Sequence, residues 1–183
     1  MTKSRTVFVN RAYHNSVKLW EGLLTAAFIF YILSVLYLVL GERLLMGSSS
    51  RFHQVTANVD YWTQVKRHIQ PIPFRTIMRY ARRLPKSNPL RRIAFVNLVG
   101  NLALFFPMGL FLPYFRRKQR KFIRFSITLI LMILFVEVTQ VLSLLGACDV
   151  DDLILNYIGA VFGFLSFRIL YFIGRKIHGK SEN

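Results

Sequence analysis

Acidic residues are scarce in this chain. Its 183 residues include eight Asp and Glu against 25 Lys and Arg, which gives a formal net charge of +17 at pH 7. The basic residues lie in short clusters beside apolar segments, which is how they are distributed next to anionic lipid headgroups. We therefore expect anionic lipids as partners, and no nucleic acid.

Cysteine, histidine motifs and phosphate loops are nearly absent as well. Cys148 is the single cysteine, so the chain has no internal disulfide. The four histidines have no metal-ligand spacing, and no glycine-rich phosphate loop is present. Zinc-binding and nucleotide-binding classes are therefore not indicated.

Long apolar runs, by contrast, are abundant. The chain is 54% hydrophobic with a mean hydropathy of +0.39, and four runs are long enough to cross about 30 Å of hydrocarbon. The first run is too long for the apolar region of a signal peptide, so we expect it to be retained. The sequence predicts an all-α integral membrane protein, a bundle of four transmembrane helices. The predicted spans are 19–40, 93–115, 122–145 and 153–173.

The first two spans are separated by a long basic stretch. Its prolines exclude a long straight helix, so we predict an interfacial loop on the membrane surface. The predicted organisation is a basic N-terminal segment 1–18, the first span 19–40, the interfacial loop 41–92, a core of three spans 93–173 and a basic tail 174–183.

The distribution of Lys and Arg predicts the orientation. Six basic residues lie in the short loop 116–124, whereas the loop before the fourth span has none. Positive loops are usually cytoplasmic, which predicts cytoplasmic termini. Eleven basic residues in the first loop argue against this orientation.

Polar side chains of the last three spans are concentrated in one half of the membrane. The start of the second span, the end of the third and the start of the fourth meet at one face, and helical spacing aligns their polar residues in three stripes. The stripes are Asn97 with Asn101, Glu137 with Gln140, and Asp152 with Asn156.

The acid-rich stretch "DVDDLILN" (149–156) lies at the mouth of these stripes. A carboxylate in hydrocarbon costs several kcal/mol and usually marks a site. An alternative is that one Asp caps the fourth helix and the amides bond between helices. We expect Asp151 to point away and to matter less. The predicted ligand-binding cluster is Asn97, Asn101, Glu137, Gln140, Asp149, Asp152 and Asn156.

Small residues recur at helical spacing in the fourth span. "NYIGAVFG" places Gly159 and Gly163 on one face, a pattern that lets membrane helices approach closely. These two glycines are predicted to serve helix packing.

Four blocks resemble the VanZ-like family of bacterial membrane proteins in order and spacing. They are "IPFRTI" (72–77), "NLVGNLALFFPMGLFLP" (97–113), "EVTQ" (137–140) and "DVDDLILNYIGAVFGF" (149–164). The resemblance covers about residues 70–165 and implies a protein of the bacterial cell membrane. It also implies an association with lowered susceptibility to teicoplanin, a lipoglycopeptide.

Two functions follow as hypotheses. In the first, the basic loop of a cell-envelope protein holds anionic headgroups or lipid-linked wall precursors, and the polar cluster binds a lipid headgroup, a wall precursor or the lipoglycopeptide. In the second, Glu137, Asp149 and Asp152 hold Mg²⁺ or Mn²⁺ in a metal-dependent hydrolase or transferase acting on a lipid-linked phosphate. We favour the binder, because the sequence has no evident nucleophile and no histidine base.

Overall fold

The computed structural model describes residues 2–38, 60–85, 89–144 and 146–178. These residues form six α-helices, a 3₁₀ turn and one pair of two-residue strands, so the predicted all-α class is confirmed. In chain order the elements are α1 (Thr2–Leu36), α2 (Tyr61–Arg67), β1 (Ile69–Gln70), α3 (Arg75–Ala81), α4 (Pro89–Phe115), the 3₁₀ turn (Arg117–Arg120), α5 (Phe122–Leu142), β2 (Cys148–Asp149) and α6 (Val150–His178).

Four of the helices are long and apolar enough to cross a membrane, as predicted. α1 is one continuous helix, so the basic N-terminal segment 1–18 is not a separate element from residue 2 onwards. Its apolar part is Ser16–Leu36. The predicted end of this span, Leu40, lies outside the described residues. α1 belongs to a compact unit of its own, residues 1–38.

The other three spans, α4, α5 and α6, belong to the second unit. α4 and α6 pack most closely, because glycines replace side chains where the helices cross. A Cβ added to Gly159 would lie 1.9 Å from the Leu102 carbonyl oxygen, and one added to Gly163 would lie 2.0 Å from that of Phe106. Gly109 completes the crossing from the α4 side, at 2.0 Å from the Ala160 carbonyl oxygen. Backbone contact at this distance admits glycine alone.

α5 packs against this pair along a single seam. Its buried residues recur every fourth position from Phe125 to Val141, the spacing that places side chains above one another on one helix face. Phe125 stacks on Phe164 of α6 with ring centroids 4.6 Å apart. Glu137 is the one charged residue of the seam, so the packing carries a carboxylate into the core near the end of α5.

Residues 60–85, which lie between α1 and α4 in the chain, are docked on the loop between α5 and α6. α2 and α3 have seven residues each, in agreement with the prolines that exclude a long helix. β1 pairs in parallel with β2, Ile69 opposite Cys148, and the Tyr61 hydroxyl donates to the Leu142 carbonyl oxygen at 2.6 Å. This docking carries α3 to the start of α6. Residues 41–59 and 86–88 of the predicted loop lie outside the described residues.

Candidate functional site: an acid cluster and an arginine groove

Four carboxylates lie together where α5 ends and α6 begins. We call Glu137, Asp149, Asp151 and Asp152 the acid cluster. Asp151 is fully buried, and Glu137 and Asp149 are 4% and 8% exposed. α6 begins at Val150, three residues before its predicted start, so Asp151 and Asp152 occupy its first turn. Negative charge is stabilised there by the helix dipole.

Asp151 caps α3 from another helix. Its Oδ1 accepts the Phe74 N–H at 2.5 Å, and its Oδ2 accepts the N–H groups of Thr76 at 2.6 Å and Ile77 at 3.0 Å. α3 has no cap of its own, because the side chain of its N-cap residue, Phe74, accepts no hydrogen bond. Asp151 thus satisfies three N–H groups that a helix start leaves without partners. The sequence placed Asp151 outside the cluster, whereas the structure places it at the centre.

Phe74 adopts a backbone conformation that a side chain disfavours. Its φ is 64°, in the left-handed region, where a non-glycine residue typically costs about 1–3 kcal/mol. The bond from its N–H to Asp151 holds it there. The strain is therefore sustained by a buried carboxylate that lies 77 residues away in the chain.

Asp149 connects three elements. Its Oδ1 accepts the Asp151 N–H at 2.9 Å, which is the N-cap bond of α6, so Asp149 is the aspartate that caps the fourth span. Its Oδ2 accepts the Thr76 hydroxyl at 2.7 Å, and its own N–H donates to Glu137 Oε2 at 3.3 Å. α3, α5 and α6 are joined through this residue.

The four amide residues of the predicted cluster have different surroundings. Asn101 donates its side-chain N–H to Asp152 Oδ1 and so links α4 to α6. Asn156 is 5% exposed, and its Oδ1 accepts no hydrogen bond from the residues that the structure describes. Asn97 lies apart from the cluster: it is exposed and donates to the Ile93 carbonyl oxygen of its own helix at 2.8 Å. The Gln140 carbonyl oxygen accepts the Gly146 N–H at 3.1 Å, a bond that closes the end of α5.

The acid cluster does not form a metal-binding set. Within residues 2–38, 60–85, 89–144 and 146–178, no group of three or more His, Cys, Asp or Glu side chains is arranged to hold an ion. Asp149, one of the three ligands proposed from the sequence, uses both carboxylate oxygens in hydrogen bonds to the protein. The predicted Mg²⁺ or Mn²⁺ site therefore has no ligand geometry in the described chain.

Cys148 lies beside the acid cluster. Partial burial raises the pKa of its thiol, and the neighbouring carboxylates, first Glu137 and then Asp149 and Asp152, raise it further because they disfavour a thiolate. A thiol of raised pKa is a weak nucleophile at neutral pH. This agrees with the absence of a sequence signal for a catalytic cysteine.

A basic groove is formed by α3 and by the residues directly before and after it. It lies next to the point where the acid cluster binds the start of α3. Its volume is about 590 Å³, within the range of about 300–1,000 Å³ that small-molecule sites occupy. We call it the arginine groove. It is lined by four arginines, Arg75, Arg79, Arg82 and Arg83, and by Ile72, Pro73 and Met78. None of these seven residues was predicted individually as a site residue; the sequence indicated only that the basic loop as a whole holds anionic headgroups.

Comparison with protein families identifies what the chain is related to. A family model described as VanZ/LLP1 matches residues 28–171, which is more than half of the chain. The protein belongs to the VanZ/LLP1 family. Comparisons with curated proteins and with solved structures found no match. The match extends beyond the residues 70–165 that carried the resemblance and includes the end of α1.

The VanZ/LLP1 match includes both features of the site. The acid cluster and the arginine groove lie wholly within residues 28–171. Together with the four apolar helices, the match makes this chain a multi-pass membrane protein.

Proposed function

We propose that this VanZ/LLP1 membrane protein binds a phosphate-bearing lipid in the arginine groove, either an anionic lipid headgroup or a lipid-linked wall precursor. The observation that carries the proposal is the groove itself, an open depression of about 590 Å³ that four arginines line. Arginine is suited to this ligand because its planar fork of N–H donors matches phosphate oxygens bidentately.

The charge on α3 favours an anionic ligand. Arg75 and Arg79 are four residues apart within α3, and Arg82 and Arg83 follow directly after its last residue, Ala81. Like charges four residues apart destabilise a helix. The chain has no Asp or Glu between Asp60 and Glu137, so α3 contains no acid of its own, and Asp149 and Asp151 bind its start, at Thr76. A bound phosphate would add negative charge among the arginines.

The apolar residues of the groove favour a lipid over a free phosphate. Ile72 and Met78 line it beside the arginines, and both are about half exposed, at 54% and 51%. A soluble anion gains nothing from these surfaces. The acyl or prenyl chain of a lipid would cover them and remove apolar area from water.

The acid cluster supports the groove. Asp151 caps α3, Asp149 binds Thr76, and both carboxylates belong to the start of a membrane span. A seven-residue helix is too short to be stable alone in water. Its tertiary caps therefore position the arginines, and rigid placement reduces the entropy lost when a ligand binds.

The proposal also includes the predicted orientation of the protein and its predicted effect on teicoplanin susceptibility. With cytoplasmic termini in the bacterial cell membrane, the arginine groove opens to the outer face, where wall precursors and lipoglycopeptides meet the membrane. A groove with apolar and basic walls would also accept the acyl-bearing antibiotic, which would lower susceptibility to teicoplanin. The alternative, a metal-dependent hydrolase or transferase, has less support, because the described residues contain no group of three or more His, Cys, Asp or Glu side chains that could hold a metal ion.

Binding of phosphatidylglycerol and of a polyprenyl phosphate to the purified chain tests the proposal. Arg79→Gln with Arg82→Gln removes two groove charges, and we expect affinity to fall at least tenfold, because a charge-assisted hydrogen bond contributes about 1.5–3 kcal/mol. Arg91→Gln with Arg92→Gln is the matched control, since both arginines are exposed at the start of α4 and outside the groove.

Equal losses in the two double variants would mean that the protein attracts anions by surface charge alone, and would overturn the proposal. A preference for polyprenyl phosphate over phosphatidylglycerol would select the wall precursor as ligand. The teicoplanin part is tested separately: cells complemented with the groove variant should be as susceptible as cells that lack the protein.

A further inference from the structure

A second basic pocket lies at the opposite end of the three-helix unit. Its volume is about 250 Å³, and it is lined by Arg120, Phe167, Arg168, Tyr171, Phe172 and Arg175. The 3₁₀ turn before α5 and the last turns of α6 contribute these residues. α6 spans the membrane and begins in the acid cluster, so this pocket and the arginine groove lie at opposite ends of that helix.

Arg120 is fixed in the pocket by the protein. Its guanidinium lies 4.5 Å from the ring centroid of Tyr171 and 5.7 Å from that of Phe167, and its Nε donates to the Pro113 carbonyl oxygen at 3.2 Å. Arg168 donates to the Arg120 carbonyl oxygen at 3.5 Å. Cation–π stacking and these bonds set the positions of Arg120 and Arg168 before any ligand arrives.

Three guanidinium groups in one small pocket attract an anion. The chain has no Asp or Glu from residue 61 to 136 or from residue 153 to 181, so no acid lies on the 3₁₀ turn or on the part of α6 that lines the pocket; the acids of α6, Asp151 and Asp152, are in its first turn. Repulsion among the three charges is relieved by an anion placed between them. A volume of about 250 Å³ is below the usual range for small-molecule sites and suits a single phosphodiester group.

The surroundings of the pocket select a lipid as the source of that phosphate. Ile169, Leu170 and Phe172 are 60%, 64% and 67% exposed on the same stretch of α6. This stretch belongs to a membrane span, so its exposed apolar side chains face hydrocarbon. A phosphate held by Arg168 and Arg175 therefore has acyl-chain surface beside it.

We infer that this pocket is a second site, which binds the headgroup of an anionic phospholipid in the leaflet opposite the arginine groove. Arg120 forms the fixed base, Arg168 and Arg175 hold the phosphate, and Phe172 contacts the start of an acyl chain. The site is independent of the function proposed for the arginine groove, because the two share no residue.

Native mass spectrometry of the full chain with titrated phosphatidylglycerol tests this site. All measurements use the Arg79→Gln, Arg82→Gln background, in which binding at the groove is expected to be at least tenfold weaker. In that background we expect Arg168→Gln with Arg175→Gln to weaken the remaining binding at least tenfold. Arg117→Gln with Lys118→Gln, exposed on the same 3₁₀ turn, should leave it unchanged. Phosphatidylcholine should bind equally weakly to every variant.

An equal loss in the Arg117, Lys118 control would show attraction by the basic surface and overturn the site. Displacement of the lipid by an equal concentration of inorganic phosphate would overturn the lipid as its ligand. If the double variant does not fold, Arg175→Gln alone replaces it as the test variant, because the Arg175 side chain is exposed and its loss leaves the packing intact. We expect this single substitution to lower the affinity for phosphatidylglycerol about tenfold.

Discussion

The two ends of the three-helix unit accommodate charge in opposite ways. At one end the carboxylates of Asp149 and Asp151 are buried, and backbone N–H groups and a hydroxyl satisfy them. At the other end Arg168 and Arg175 remain exposed, and Arg120 stacks on aromatic rings. The buried acids of the cluster bind groups of the protein itself, whereas Arg168 and Arg175 face outward.

This difference follows from the chemistry of the two groups. A carboxylate accepts several short hydrogen bonds within a small volume, so backbone N–H groups at helix starts can replace its water. A guanidinium carries five donors on a long stem that keeps its charge at the membrane surface while the stem lies on apolar residues. Buried acids and exposed arginines are therefore both stable arrangements in a membrane protein.

The largest expected effect comes from disrupting the helix crossing that joins the two ends. Gly159→Ala would place a Cβ 1.9 Å from the Leu102 carbonyl oxygen, and a backbone atom cannot move without separating α4 from α6. We expect a loss of about 3 kcal/mol, measured as a lower thermal unfolding midpoint in detergent. Gly100→Ala is the control, because its Cβ meets nothing within 4 Å. Equal stability of the two variants would show that the crossing leaves room for a Cβ at Gly159 and would contradict the close contact with Leu102.

The next effect concerns the acidic end alone. Both oxygens of Asp151 accept N–H groups, Oδ1 from Phe74 and Oδ2 from Thr76 and Ile77. An asparagine at this position has only one acceptor oxygen, so its NH₂ group would face a backbone N–H group that also needs an acceptor. We therefore expect Asp151→Asn to lower the free energy of unfolding by about 1–3 kcal/mol, measured by thermal unfolding.

Asp149→Asn is the matched comparison, because the amide can keep the cap bond to Asp151 while the Thr76 hydroxyl rotates to accept from its NH₂ group. Its loss should be smaller, within about 1 kcal/mol. Equal losses would mean that net charge, and not the direction of the hydrogen bonds, stabilises the acidic end.

Much of the architecture was predictable from local pattern, but the partners of the acids were not. Apolar length identified all four spans, and the spacing of Gly159 and Gly163 indicated a close helix face. Asp151 was misplaced because its partners lie 74–77 residues earlier, in a loop whose fold no periodicity describes. Asn97 was selected by its spacing from Asn101, yet it binds its own helix. Helical spacing shows which residues share a face, and tertiary contacts decide what that face meets.

A smaller effect is expected at the basic end. Arg120→Lys keeps the charge but loses the planar group that stacks on Tyr171 and the Nε that donates to Pro113. We expect a loss of about 0.5–1 kcal/mol in thermal unfolding, the usual contribution of an accessible cation–π pair. Arg117→Lys, exposed on the same turn, should cost less. A greater loss from Arg120→Lys than from Asp151→Asn would reverse the ranking of the two ends.

The last prediction tests whether the two ends lie on opposite sides of the membrane, and it requires no change in stability. Cys148 is a poor reporter, because partial burial and the neighbouring carboxylates raise the pKa of its thiol. Its labelling by a maleimide should be slow at neutral pH and should accelerate as pH rises and the thiolate forms.

Ala147 is exposed beside Cys148, so Ala147→Cys in a Cys148→Ser background should react quickly with an impermeant maleimide on intact cells. Lys118→Cys, on the exposed 3₁₀ turn of the basic end, should react only after permeabilisation if the termini are cytoplasmic. The reverse result would invert the orientation and place the arginine groove in the cytoplasm, whereas labelling of both positions from outside would contradict a membrane-spanning α5.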